Sequence, residues 1–247
     1  MPERTVQAIV LRRRDSGESD RRLTVLTVES GKMDVLAKGA RKSASRLSGI
    51  SEPLSACVMT LAEGKRTAFV TQAQPLASYR GLRTDFERLS YALALVELYA
   101  AVLPIDEPFP EAFDLLSRSL RHLETHPKPM VALVWAEVHL LAISGFLPQF
   151  DRCIATDQQI LEGEPFLSPR AGGYISDAAA VTYTDRFRTR AEVLYGLVRL
   201  PEFDAPPGNM KFVEEALADL LPFWFHIAEA PLPANSSAVQ EFRHREA

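Results

Sequence analysis

The chain has 247 residues, 47% hydrophobic and 24% charged, enough to bury one large core or two modest ones. No apolar run approaches the roughly 18–20 residues of a membrane span, the opening Met1-Pro2-Glu3-Arg4 lacks the apolar stretch of a secretory leader, and two cysteines, Cys57 and Cys153, are too few for a disulfide framework, so a reducing cytoplasm is expected. The formal net charge of −4 alone argues against a polyanionic partner, but residues 1–80 carry 14 Lys+Arg against 8 Asp+Glu, and the remainder 14 against 24. A basic part followed by an acidic part predicts two domains with different partners, the first attracting a polyanion and the second repelling one.

The first 80 residues read as short strands. Residues 6–12 are rich in β-branched side chains, 15–18 form a polar turn, and 23–28 alternate apolar residues with Thr as a half-buried strand does. A tight turn at Ser30-Gly31-Lys32 leads into a third strand at 33–37, followed by a long polar loop over 38–49. Residues 54–61 and 68–73 pair across Glu63-Gly64-Lys65. Five short strands with Gly-containing turns fit a small barrel; an oligonucleotide/oligosaccharide-binding (OB) barrel has that count, although strand count alone does not separate it from an SH3-like barrel.

The apolar period then changes from two to three and four. Phe86, Leu89, Leu93, Val96, Ala100 and Leu103 mark a largely buried helix, with Thr84 as N-cap, Asp85 in the first turn and Glu87 completing a capping box; Pro104 ends it. Further helices are predicted over 111–123, 130–144 (opened by Pro127 and Pro129, ended by Gly145), 188–200 and 211–229, the last kinked by Pro222. The fold class is therefore multidomain β + α: an N-terminal five-stranded OB-like barrel (1–80) followed by an α-helical domain (81–247) carrying a short irregular insert at 146–180.

The strongest functional signal is basic residues gathered on turns. Arg12, Arg13 and Arg14 lie where the first strand exits, Arg21 and Arg22 where the second enters, Lys32 in the tight turn before the third, and Lys38, Arg41, Lys42 and Arg46 populate the loop after it. Such groups track a phosphate backbone without reading bases. Neutralising about five phosphates on a single strand gives a log K against log salt slope near −3.5, so fourfold more salt weakens binding on the order of a hundredfold. Asp15, Glu18 and Asp20 dilute the cluster, and an isolated Arg-Arg-Arg would read as solvated surface; three basic groups in a barrel domain favour binding. Stacking platforms are scarce: residues 1–80 hold only Phe69, assigned to the core, and Tyr79, which fits core or surface. Electrostatics should therefore dominate, with little sequence preference.

The stretch Ala8-Ile9-Val10-Leu11-Arg12, then Gly17-Glu18-Ser19-Asp20-Arg21 and Leu23-Thr24-Val25-Leu26-Thr27 before Glu29-Ser30-Gly31-Lys32, resembles the opening of the RecO family. So do Ala37-Lys38-Gly39-Ala40-Arg41-Lys42, Ser45-Arg46-Leu47, Glu52-Pro53-Leu54, the junction Gly81-Leu82-Arg83-Thr84-Asp85-Phe86-Glu87-Arg88-Leu89, and Gly145-Phe146-Leu147-Pro148-Gln149-Phe150-Asp151-Arg152-Cys153. The likeness runs from residue 6 to about 180 and rests on the order and spacing of these pieces together. It implies a non-enzymatic recombination mediator, cytoplasmic and nucleoid-associated, that binds single- and double-stranded DNA, anneals complementary strands, contacts the acidic C-terminal tail of single-strand-binding protein (SSB), and with RecR helps RecA displace SSB. It leaves open whether a RecF-like partner is used. For the tail, whose carboxylates come after apolar residues, Arg118 and Arg121 on one helix face are candidate contacts, against the blander reading of surface charge.

RecO proteins often carry zinc on two Cys-x-x-Cys pairs. Here Cys153 holds the first position, but Thr156, Ser176 and Ala179 stand at the others, so no zinc and no cofactor is expected, Cys153 being a small buried hydrophobe and Phe166, Tyr174 and Ile175 ordering the segment instead. The histidines (His122, His126, His139, His226 and His244) show no metal-spaced pair, and no Gly-rich phosphate loop is present. An OB-fold protein–protein adaptor without direct DNA binding is the alternative, and a nuclease a third; salt-dependent DNA binding without metal-dependent cleavage separates them.

Overall fold

A computed structural model describes residues 2–65, 67–160 and 165–243; His244 and part of the 146–180 insert lie outside them. The chain forms two compact units, Met1–Glu124 and Thr125–Ala247.

In the first unit, β1 (Glu3–Ser16), β2 (Asp20–Thr27), β3 (Gly31–Ala37), β4 (Ala56–Ala62) and β5 (Ala68–Ala77) close into a barrel in the order β1-β2-β3-β5-β4. This is the expected OB-like arrangement. Neighbours are antiparallel except β3 and β5, which meet in parallel over Val35↔Ala68 and Leu36↔Phe69. The long β1 serves both sides of the seam, pairing through its first half with β4 and through its second half with β2. A bulge between Val10 and Arg12 lets it do so, since one extra residue bends a strand and re-aims the side chains beyond it.

Val6, Ala8, Val10, Leu23, Val25, Met33, Val35, Met59, Leu61, Ala68 and Val70 fill the barrel at alternate positions along their strands, as a period of two requires. The short α1 (Leu47–Ile50) forms in the loop read as wholly irregular, and its Leu47 and Ile50 pack against the barrel core. Ile9, Leu11 and Leu26 are buried without belonging to that core, and β1 packs against the helix over Phe86–Val102 of this unit.

The change from strand to helix lies inside the first unit. α2 (Arg80–Thr84) is a single turn, with α3 (Phe86–Val102) and α4 (Pro110–Thr125) after it. Asp85, not Thr84, is the N-cap of α3: its backbone is extended and its carboxylate accepts the Arg88 N–H at 3.1 Å. Thr84 is spent on α2, where its hydroxyl donates to the Arg80 and Gly81 carbonyls, and Glu87 accepts from the Tyr91 hydroxyl. Gly31 takes a left-handed conformation (φ +67°), and a Cβ there would lie 1.7 Å from the Glu107 carbonyl oxygen. Only glycine lets the 105–108 segment lie against the start of β3, where Asp106 N–H bonds the Lys32 carbonyl at 2.7 Å.

The second unit is built on α5 (Pro129–Ile143), whose central residues are buried almost without interruption. The insert carries more order than its composition predicts: β6 (Phe166–Ser168) pairs with β7 (Gly173–Ile175) and β8 (Phe187–Arg188), with α6 (Asp177–Ala180) between the last two. α7 (Ala191–Arg199) runs into a 3₁₀ turn (Leu200–Glu202), and α8 (Val213–Ala228), containing Pro222, precedes α9 (Pro233–Arg243). Trp135 donates to the Phe203 carbonyl at 2.8 Å, and Trp224 to Glu137 at 2.7 Å. No helix among the described residues is long and apolar enough to cross a membrane.

Candidate nucleic-acid interface

The barrel register sorts the basic residues into two sets. Arg13 pairs across the ladder with the core residue Leu23, and Arg21 with Ala37, so both belong to the inward-facing series. Arg12 pairs with Thr24, and Arg14 with Arg22, on the opposite, outer face. The bulge at Val10/Arg12 makes this division, because without the extra residue every side chain after it would exchange faces.

The inward set is tied up at the barrel mouth. Glu52 accepts from Arg13 at 3.1 Å and from Arg21 at 3.0 Å. Arg21, with a side chain only 12% exposed, also donates to the Ser48 carbonyl at 3.1 Å and the Ser51 hydroxyl at 2.6 Å. These two arginines hold the segment after α1 onto the barrel. Arg41 is likewise engaged, by Asp15 at 3.4 Å and the Gly17 carbonyl at 3.0 Å. Asp20 accepts the Gly39 N–H at 2.8 Å and the Ser19 hydroxyl at 3.0 Å. Those bonds, the backbone one foremost, with Lys38 and Lys42 nearby, hold its carboxyl below the usual range. With Arg41 N–H on the Ser19 carbonyl at 2.9 Å, these contacts fix the loop after β3 beside the β1–β2 turn.

Lys32 leaves the set altogether. It is 6% exposed, and its ammonium donates to the Ala100 carbonyl in α3 at 2.8 Å. Burial, then the Arg12 charge, depress its pKa, against a smaller opposite pull from Asp34. Its position after a turn reads as surface, but outer-face side chains at that end of β3 are covered by the α3 region.

Six of the ten basic candidates remain: Arg12, Arg14, Arg22, Lys38, Lys42 and Arg46. Among the described residues none of them has an ion-pair partner, and all but Arg12, which is partly buried, are exposed. Arg14, Arg22, Leu36 and Phe69 form one row across four adjacent strands. Phe69 lies between the core residues Ala68 and Val70 and so points outward; it is partly exposed and is not a core residue as its apolarity suggested. The Lys38 ammonium sits 4.0 Å from the centre of its ring. Tyr79 is 5% exposed and presents no platform. The alternation Ala68-Phe69-Val70 could have identified Phe69 from sequence, because the two small or β-branched neighbours occupy the inward positions.

The weaker candidates fare differently. On α4, Arg118 is paired with Asp114 at 3.0 Å and Arg121 donates to the Ser117 hydroxyl at 3.3 Å, contacts made along their own helix. In the second unit, Cys153, Thr156 and Ser176 converge. Cys153 Sγ accepts the Ser176 N–H at 3.1 Å and lies 3.4 Å from its hydroxyl, which is also 3.4 Å from Thr156 Oγ1. Burial raises the thiol, but the hydroxyls of Ser176 and Thr156 and the N–H groups of Ser176 and Ala155 outweigh it and bring the pKa to about 7. One sulfur and two hydroxyls bonded to each other do not fit tetrahedral zinc, which needs four nitrogen, sulfur or carboxylate donors. Among the described residues no group of His, Cys, Asp or Glu gathers as a metal site. His139 instead packs against Trp135 with the two rings tilted by 39° and their centres 4.3 Å apart.

Comparison with known proteins gives two family matches: Recombination protein O N terminal over residues 1–79 and Recombination protein O C terminal over 83–224. Among curated relatives, a protein named DNA repair protein RecO from Heliobacterium modesticaldum is 36% identical over 175 residues, covering 69% of this chain and 63% of the relative. One of the same name from Dehalococcoides mccartyi is 32% identical over 178 residues, covering 72% and 70%. The Bacillus subtilis protein is 29% identical over 215 residues, covering 87% and 84%. In the first three relatives the match spans 62–65% of their length, a little under two thirds.

Proposed function

Because this chain belongs to the Recombination protein O (RecO) family, we propose that it is a DNA-binding mediator of repair and recombination whose outer barrel face holds the phosphate backbone. The observation that carries this is the outward row of unpaired arginines: Arg14 and Arg22 directly opposite each other, with Arg12 one outward position along β1. Like charges side by side on neighbouring strands repel. A protein gains nothing from leaving them uncompensated unless a polyanion supplies the missing charge. Lys42 and Arg46, exposed at the adjoining end of the barrel, extend the same surface.

The mechanism needs no bond chemistry. Two DNA strands brought together repel, and a cationic surface offsets that repulsion while releasing condensed counterions. Binding single- and double-stranded DNA and annealing complementary strands stem from this one property. Assistance to RecA loading with RecR on SSB-coated DNA, inside the cytoplasm, is the role that the family membership supports. The tied arginines do not contribute: Arg13, Arg21 and Arg41 build the mouth so that the free ones stand on a rigid ladder.

The test is fluorescence anisotropy with labelled single-stranded DNA and the triple variant R12A/R14A/R22A. The expected result is a loss on the order of tenfold or more at low salt, with the log–log salt slope flattened by about 0.7 for each phosphate contact removed. An unchanged affinity together with an unchanged slope would overturn the assignment and favour the adaptor reading.

A further inference from the structure

We propose that Phe69 is a stacking platform for an unpaired base, with Lys38 as the occupant of the ring in the absence of DNA. The inference rests on the DNA-binding reading above and adds to it a preference for single strands. Three features of the outer face carry it.

First, Phe69 shares a row with Arg14 and Arg22 through Leu36. Three interstrand steps of about 4.8 Å place it roughly 14 Å from Arg14. A strand held by its phosphates at the arginines therefore passes within reach of the ring. Second, the ring is held in place. Gly64 lies against its edge so closely that a Cβ there would come within 2.4 Å of Phe69 Cε2, and Ala68 and Val70 anchor the strand in the core on either side. A platform fixed by its scaffold loses little freedom when a base docks. Third, a flexible ammonium lies over the ring face, 4.0 Å from the centroid, on the exposed Lys38 just after β3. A cation over an exposed phenyl ring contributes less than a stacked base does. The base displaces the ammonium, and the freed lysine is then positioned for a neighbouring phosphate. No covalent step is involved. A paired base in a duplex keeps its faces against its neighbours and cannot use the site, so the gain is confined to single strands.

The experiment compares a labelled oligothymidine with an abasic oligonucleotide of the same length, and with a duplex, by anisotropy at one fixed salt concentration, using the full chain and the variants F69L and F69W. The wild type is expected to bind oligothymidine on the order of tenfold more tightly than the abasic strand. F69L removes that difference by weakening oligothymidine binding to the level of the abasic strand. F69W retains the difference, and its emission is quenched by oligothymidine and not by the abasic strand; the native Trp135 and Trp224 are both 0% exposed and report only that the second unit is folded. Equal affinity of the wild type for both oligonucleotides overturns the role of Phe69 while leaving the electrostatic reading intact, as does an F69L difference as large as the wild type's. Failure to bind either oligonucleotide overturns the DNA-binding reading itself.

Discussion

Replacing Glu137 by glutamine should stabilise the protein, and by more as the pH rises. Glu137 is 1% exposed on α5; its Oε2 accepts from the Trp224 indole at 2.7 Å, and its Oε1 has no hydrogen-bond partner among the described residues. Burial pushes the carboxyl from 4.5 up to about 8, offset in part by the Trp224 hydrogen bond. In the unfolded chain the group ionises near 4.5, whereas the folded chain keeps its proton to about 8. Between those values folding takes up a proton, so wild-type stability falls by about 1.4 kcal/mol per pH step and levels off above the folded value. The ceiling is on the order of 5 kcal/mol at pH 8. E137Q keeps an oxygen for the indole and has nothing to titrate. Asp219, raised to about 7 by burial against its Thr189 hydrogen bond, tilts both proteins in the same direction and cancels from the difference. Urea unfolding monitored by tryptophan fluorescence at about pH 5, 6.5 and 8.5 reads the effect. The two proteins should be close at the lowest pH, and E137Q ahead by a few kcal/mol at the highest. A difference that stays constant with pH would refute the reasoning.

The same geometry sets three further outcomes. E52A removes the carboxylate shared by Arg13 and Arg21 and leaves the latter's guanidinium, 12% exposed, without a counter-charge, so a loss of roughly 1–3 kcal/mol is expected in chemical denaturation; an unshifted midpoint contradicts it. G31A forces a Cβ against the Glu107 carbonyl in a left-handed conformation and should lower stability by about 2 kcal/mol or more; a melting temperature within error of wild type would show that the 105–108 segment yields freely. Elemental analysis of the purified protein should find no stoichiometric zinc, because Cys153, Thr156 and Ser176 bond one another; one zinc per chain would mean that ligands other than these gather there.

Much of the barrel is written locally. The alternation at 23–28 and the left-handed glycine after Ser30 each carry their own structural instruction, and β2 and β3 result from them. The change of period near residue 84 marks the helices equally well, although Thr84 and Asp85 offer similar caps and only the turn of α2 before them decides which is used. What the sequence could not reveal is which cations are free. Arg12, Arg13 and Arg14 are chemically identical neighbours; one bulge, a long-range property of how β1 joins two partners, sends Arg13 to Glu52 and the other two outward. Lys32 likewise reads as turn surface until α3 is laid over it. The insert at 146–180 carries two strands of a small sheet that polar composition and short length conceal, since strands of three residues have no period to detect.

The most direct measurement of the central claim is the salt dependence of single-stranded DNA binding by the wild-type chain, from about 50 to 200 mM monovalent salt. With five or six free cations on the outer face and adjoining loop, log K should fall with log salt at a slope of about −3.5 to −4.2, a loss on the order of a hundredfold or more across that range. A slope near zero, at whatever affinity, would mean that the arginine row does not hold phosphate.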